Sequence, residues 1–196
     1  MHMTVELLFE DLMDFSLARR AMIDNQLRPQ AVTDAGVLAA MGTVPREEYV
    51  PAEARPFAYF DRSIALDGGA AMMPPAALGR LLSELAPRAG ERALVIGDAS
   101  GYSAALLSAI GVTVTTDAGG GDLVDLLLID GAVDMIPEAL IARLVEGGRI
   151  GTALNDAGVT RLVVGRVSRG ALGLRTIVDA DVASLPGYER PPVFIF

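Results

Sequence analysis

The residues with the clearest chemical potential form a small-residue loop, Gly97-Asp98-Ala99-Ser100-Gly101, together with two later aspartates, Asp117 and Asp130. An apolar run precedes the loop and a helical pattern follows it. A strand, loop and helix in this order can cradle a nucleotide-like cofactor on backbone N–H groups. Asp117 follows Gly97 at about the 20-residue spacing at which an acid holds ribose hydroxyls in Rossmann-like sheets.

Each of these residues also has a purely structural interpretation. The loop can be a tight strand-to-helix turn, and the segment around Asp117, TTDAGGGD, has the composition of an ordinary turn. Asp130 ends an apolar strand, where ligands sit in open α/β sheets, but Asp130-Gly131 is also a strong turn signal. The sequence leaves both interpretations open.

Composition restricts the available chemistry. The 196 residues contain no Cys and no Lys, and the single histidine is His2. Thiol nucleophiles, Schiff bases and a Ser-His-Asp triad are thereby excluded, and no metal site is expected. The net charge of −9 argues against a nucleic-acid partner. No apolar run has membrane-spanning length and no signal peptide is recognisable, so we expect a cytoplasmic protein.

Residues 1–90 predict a helical and irregular N-terminal part. Apolar periodicity predicts a helix over 5–26, whose apolar face is either core or a docking surface. A second helix is expected over 35–41, capped by Thr33-Asp34. The Pro-rich segment 46–66 carries a cluster of Tyr and Phe, Asp67 to Pro75 forms a loop, and a helix is expected over 76–85.

Residues 91–196 predict an α/β part within the same structural domain. Strands that alternate with helices indicate a mainly parallel sheet, and two runs around Arg169-Gly170 indicate an antiparallel hairpin. The predicted strands are 93–96, 112–115, 123–130 and 149–154, the predicted helices are 101–110 and 136–145, the hairpin strands are 161–168 and 172–179, and an edge strand is expected over 191–196.

The order of these segments resembles the protein-L-isoaspartate O-methyltransferase family, which uses S-adenosylmethionine. The resemblance covers nearly the whole chain and is carried by MIDNQLRPQAVTD, VLAAMGTVPREEYVP, AYFDRSIAL, GDASGYSAALL and LLLIDGAVDMIPEALIARLVEGGRI. It implies a Rossmann-like methyltransferase sheet, mainly parallel, with a C-terminal antiparallel hairpin and a helical N-terminal extension. It also implies methyl transfer to the α-carboxylate of isoaspartyl residues. The cofactor-binding positions would be Gly97, Asp98, Ala99, Gly101, Asp117 and Asp130.

The sequence departs from the family pattern at three places. Ala99 replaces the central glycine of the G-x-G-x-G loop, which an alanine tolerates only with negative φ. Four residues, AGGG, separate Asp117 from Asp122, so a helical crossover cannot fit there and about one helix and one strand are missing. In the substrate loop, the positions that carry hydroxyls in the family are here Ala70 and Met72, so no catalytic residue is assigned.

These departures predict a family member with impaired or lost S-adenosylmethionine binding, acting as a pseudo-enzyme or binding scaffold. The narrowed sheet would leave apolar surface uncovered, so we expect a homodimer or another protein partner. The alternative is an active carboxyl methyltransferase that acts on isoaspartyl residues with a rebuilt cofactor pocket. A dinucleotide-binding enzyme fits less well, because GDASGY lacks the G-x-G-x-x-G spacing.

Overall fold

The computed structural model describes residues 14–156 and 158–190. The first nine residues of the predicted N-terminal helix and the whole of the expected edge strand 191–196 lie outside these ranges. The described helices are α1 (Phe15–Met22), α2 (Ala35–Thr43), α3 (Pro75–Leu85), α4 (Tyr102–Ile110) and the single turn α5 (Glu138–Ile141). A π-helical turn, Ile23–Leu27, continues α1.

The N-terminal part has the predicted order and is irregular between its helices. Short 3₁₀ turns occupy Arg46–Tyr49, Ala52–Phe57 and Asp67–Gly69, as the Pro and Gly content of this stretch suggested. Two-residue strands β1 (Ile64–Ala65) and β2 (Ala71–Met72) pair antiparallel. The Asp34 carboxylate caps α2 by accepting from the Val37 N–H at 2.9 Å, which confirms the predicted cap.

The large sheet of the described chain has six strands. They are β3 (Arg92–Ile96), β4 (Thr113–Thr115), β5 (Val124–Val133), β6 (Leu144–Asp156), β7 (Val159–Ser168) and β8 (Ala171–Asp179). Their order across the sheet is β4-β3-β5-β6-β7-β8. The first four strands in this order are parallel, and β7 and β8 add the predicted antiparallel hairpin.

Alternating residues of the central strands divide the core between the two faces of the sheet. Ala93 and Val95 of β3 pack in the larger core with α1 to α4, whereas Leu94 and Ile96 pack in a second core on the opposite face. Successive strand side chains point to opposite faces, so a strand that is apolar throughout can be buried on both. The larger core joins residues of the N-terminal part directly to the sheet.

The connection from β4 to β5 confirms the predicted shortening. Residues 116–123 join the two parallel strands without a helix or a further strand. This is possible because β4 is short: Thr115 pairs with Leu94 while Leu126 pairs with Ala93, so the chain has little length to recover along the strand direction. The cost is a sheet that ends in a three-residue strand.

The helix predicted over 136–145 is wrong in extent. The helix covers Glu138–Ile141 only, and the chain enters β6 at Leu144, which pairs with Val124. The Val124 N–H donates to the Arg143 carbonyl at 2.8 Å. Residues from Arg143 onward therefore pair with β5 and do not continue the helix. A register shift then accommodates residues 145–148, where the glycine pair was expected to end a helix.

Within the described ranges no helix is long and apolar enough to cross a bilayer, and no group of three or more acidic or histidine side chains is arranged to hold a metal ion.

Candidate functional site

The glycine loop leaves the carboxyl end of β3 and leads into α4. Gly97 adopts φ +83° and Gly101 adopts φ +81°, conformations that a residue with a Cβ atom rarely takes. Ala99 is not among the described residues with positive φ, so the alanine fits the place of the central glycine without backbone strain. The loop therefore keeps its turn geometry despite the substitution.

The Asp98 carboxylate occupies the N-terminus of α4. One oxygen accepts from the Gly101 N–H at 2.9 Å and from the Ser100 hydroxyl at 3.0 Å, and the other accepts from the Ala104 N–H at 2.8 Å. A helix N-terminus attracts anions through its free N–H groups and its dipole. Here a side chain of the loop supplies that anion, so these donors are already used.

Asp130 lies in β5 below the loop and is almost completely buried. One carboxylate oxygen accepts from the Ser103 hydroxyl of α4 at 2.6 Å, and the other has no hydrogen-bond partner. Burial, reinforced by the nearby Asp98 charge, raises the pKa of Asp130 to about 7, although the Ser103 hydrogen bond and the Arg46 charge oppose this shift. The carboxyl group therefore faces the interior, and Ser103 links β5 to α4.

Arg46 is a residue of this site that the sequence analysis did not single out. It is 0% exposed, and its guanidinium donates to the carbonyls of Ala58 at 2.8 Å and of Met73 at 2.6 Å. The same group lies over the Tyr102 ring, 5.0 Å from its centre. Arg46 thus ties the N-terminal part to the start of α4. Its position between proline-broken turns gave no periodic pattern from which burial could be inferred.

Asp117 lies outside this group. Its carboxylate accepts from the Gly119 N–H at 2.9 Å, within its own turn, and is exposed. The turn is held from below by Arg143, which donates to the carbonyls of Asp117, Ala118 and Asp122 at 2.9 to 3.1 Å. The expected turn chemistry of TTDAGGGD is present. The ribose-binding role of Asp117 stays a prediction, and this conformation does not favour it.

A cleft of about 420 Å³ lies beside the glycine loop at the carboxyl edge of the sheet. Apart from Asp98 and Thr116, its lining is small or apolar, and it includes no part of Asp117, Asp130 or Met72. The lining residues are Gly68, Ala70, Val95, Ile96, Gly97, Asp98, Ala99, Thr116, Leu185 and Pro186. Met72 and Met73 are buried in the larger core, so they pack as the sequence suggested and do not reach the cleft.

Of the six predicted cofactor positions, the structure brings Gly97, Asp98 and Ala99 to one cleft and Gly101 to the start of the adjoining helix. Asp130 lies beneath them, and Asp117 lies in a separate depression with Arg143. A mainly parallel sheet with a glycine turn after its first large strand defines an α/β protein with a Rossmann-like fold.

Comparison with known proteins specifies this class further. The family model for protein-L-isoaspartate (D-aspartate) O-methyltransferase matches residues 17–117. A protein-L-isoaspartate O-methyltransferase of Koribacter versatilis is 31% identical, over 91% of this chain and 95% of its own length. One from Methylorubrum populi is 32% identical, over 68% of this chain and 77% of its own. The chain therefore belongs to the protein-L-isoaspartate O-methyltransferase family.

Solved structures confirm the fold. A protein-L-isoaspartate O-methyltransferase of Plasmodium falciparum, crystallised with S-adenosyl-L-homocysteine, superposes with a TM-score of 0.72 at 16% identity and covers 85% of this chain and 97% of its own. A second structure of this name gives a TM-score of 0.70 at 19% identity, covering 87% of this chain and 66% of its own. At these identities the likeness is evidence of the fold.

Proposed function

We propose that this chain is a member of the family that no longer binds S-adenosylmethionine tightly or transfers methyl groups, and that it acts by binding another molecule on an intact scaffold. The observation that carries the proposal is the short β4–β5 connection. It removes the helix and strand that would wall the cofactor cleft on one side, and it turns the Asp117 carboxylate into its own turn.

The glycine loop supports the same proposal. A cofactor that used the N-terminus of α4 would compete with the Asp98 carboxylate for the N–H groups of Gly101 and Ala104. Because the Asp98 carboxylate is part of the loop itself, it competes at a high effective concentration. The residues present therefore do not fit the cofactor that the family relatives use, and we assign no catalytic step through it.

The residues at the substrate-loop positions also support the proposal. Ala70 lines the cleft and Met72 is buried. Neither residue type carries a hydroxyl that could position an isoaspartyl carboxylate. Binding without catalysis is thus the function that best fits both sides of the cleft. A protein partner, including a second copy of this chain, fits the scaffold role that we propose.

The decisive experiment is calorimetric titration of the full chain with S-adenosylmethionine and with S-adenosylhomocysteine, alongside an active relative as positive control. We expect no binding heat at millimolar ligand and no labelling of an isoaspartyl peptide by methyl-labelled cofactor. Micromolar binding together with peptide labelling would overturn the proposal. It would establish instead the alternative, an active carboxyl methyltransferase with a rebuilt pocket.

A further inference from the structure

The end of the described chain crosses the carboxyl edge of the sheet. After β8, residues 182–188, which we call the strap, turn back toward β5. The Ala132 N–H donates to the Ala183 carbonyl at 2.9 Å, and the Leu185 N–H donates to the Ala132 carbonyl at 2.7 Å. Ala132 and Ser184 thereby pair as a parallel β-bridge. The strap is therefore hydrogen-bonded to the sheet itself.

The position of this bridge in the sheet is specific. β5 pairs with β3 as far as Ile129 and Ile96, and β3 then ends at the glycine loop. Ala132 pairs with Ala153 of β6 on its other side, so the strap must lie on the side of β5 that β3 has left. The strap thus occupies the place in the sheet that a longer β3 would have filled, directly beyond Gly97.

This place is the crevice in which open α/β sheets bind their ligands. From β3 the chain moves outward to β4 and then returns past β3 to β5, so the strand order reverses between β3 and β5. Ligands of such sheets bind outside the carboxyl ends of the strands at this reversal. In this protein a segment of its own chain lies there.

Leu185 is the side chain that fills the crevice. A Cβ atom added to Gly97 would lie 2.8 Å from both Leu185 methyl groups, and one added to Gly131 would lie 2.9 Å from the Leu185 Cβ. Both glycines have positive φ, and Leu185 itself is only 8% exposed. Gly97, just after β3, and Gly131, on β5, thus leave a space that one leucine fills, which indicates a tight, specific contact.

We infer that Leu185 and the strap act as an internal occupant of the crevice between β3 and β5 and exclude a ligand from the space between Gly97 and Gly131. This inference rests on the proposed loss of cofactor binding and adds a residue that enforces it. It also explains the shape of the remaining cleft, which lies beside Leu185 and Pro186 and not between β3 and β5.

The test is the affinity of full-length variants for S-adenosylhomocysteine, measured by calorimetry. Leu185→Ala should bind with a Kd at least tenfold below the highest concentration at which the wild type shows no binding. Leu140→Ala is the matched control, because Leu140 is 5% exposed and packs in the same core on α5. It should behave like the wild type. Leu185→Val, a smaller truncation, should shift the affinity in the same direction and serves if the alanine variant does not fold.

The outcomes separate this inference from the proposed function. If neither the wild type nor the folded Leu185 variants bind, the loss of cofactor binding stands and the strap is not what excludes the ligand. If the wild type binds and Leu185→Ala binds tenfold more tightly, the proposed function fails and the role of the strap stands. Equal, measurable affinity in both proteins would overturn both.

Discussion

The two ends of the sheet are built differently. At one end β6, β7 and β8 run for 13, 10 and 9 residues and pair in long antiparallel ladders. At the other end β4 has three residues and is followed by a connection without secondary structure. The long strands supply backbone hydrogen bonds and core contacts that do not depend on the sheet end at β4. The sheet end at β4 can therefore lack a helix and a strand while the rest of the fold is retained.

Different interactions stabilise the two ends. The hairpin end depends on ladder hydrogen bonds and apolar packing, and its charged pairs, such as Arg161 with Asp156 and Asp179, lie at the surface. The short end depends on one buried side chain, that of Arg143, which satisfies three backbone carbonyls of the connection. Substitutions of comparable residues at the two ends should therefore have unequal effects.

The largest expected difference is between Arg143→Ala and Arg161→Ala. Removal of Arg143, itself a buried side chain, leaves three carbonyls of the connection without their charged donor, so we expect a loss of about 3 kcal/mol in the free energy of unfolding. Removal of Arg161 breaks two exposed ion pairs and should cost less than about 1 kcal/mol. Urea denaturation of both variants measures the difference. Equal losses would show that Arg143 does not hold the connection.

The next effect is a pH dependence that distinguishes Asp130 from surface carboxylates. Its pKa is about 7 in the folded protein against 3.8 for the ordinary group, so between these values the folded state keeps a proton that the unfolded chain releases. Its contribution to stability is therefore complete below pH 3.8 and is lost as the pH rises through 7. Asp130→Asn has no such titration, so its stability relative to wild type should rise by about 2–3 kcal/mol between pH 5 and pH 8.

Denaturant curves for the wild type and Asp130→Asn at both pH values give this difference directly. Asp125→Asn is a suitable control, because Asp125 lies on the same strand but is only partly buried. A relative stability of Asp130→Asn that does not change with pH would mean that Asp130 is ionised throughout this range in the folded protein.

The sequence predicted the central strand and the hairpin end of the sheet well, because there the local patterns and the tertiary structure agree. The continuous apolar run of β5 and the alternation around Arg169-Gly170 correspond to a central strand and a hairpin. The missing crossover was also predictable, since four residues cannot form a helix. The helix predicted over 136–145 was too long, because the apolar spacing of its second half fits either a helix or a strand, and Leu144 pairs with Val124 in the sheet.

The site was less predictable than the fold. The spacing of Asp117 from Gly97 matched a ribose acid, but spacing does not show where a carboxylate points, and this one bonds to Gly119. The strap could not be inferred either, because a residue some ninety positions beyond the glycine loop has no local signal that relates Leu185 to Gly97. Gly97 and Gly131 can be read from the sequence, but the sequence does not show that Leu185 fills the space between them.

Glycine substitutions sharpen the comparison of the two ends at a smaller scale. A Cβ atom at Gly165 in β7 would lie 2.7 Å from a Leu174 methyl group and 2.8 Å from the Gly173 carbonyl, whereas one at Gly121 in the short connection would meet nothing within 4 Å. We expect Gly165→Ala to cost about 1–3 kcal/mol through overpacking. Gly121→Ala should be neutral or should stabilise by about 0.5 kcal/mol, because it restricts the unfolded chain. Thermal unfolding of both variants tests this contrast.

The smallest effects concern Asp98 in the glycine loop and Asp117 in the short connection. Asp98 bonds to two N–H groups of the α4 terminus, so Asp98→Ala should lose about 1 kcal/mol of stability. Asp117 accepts one N–H in an exposed turn, and Asp117→Ala should lose less than about 0.5 kcal/mol. If Asp117 held a cofactor, its removal would abolish binding in the Leu185→Ala background while leaving stability unchanged. We expect instead that Asp117→Ala leaves that binding within a factor of two, because its carboxylate points into its own turn and away from the crevice.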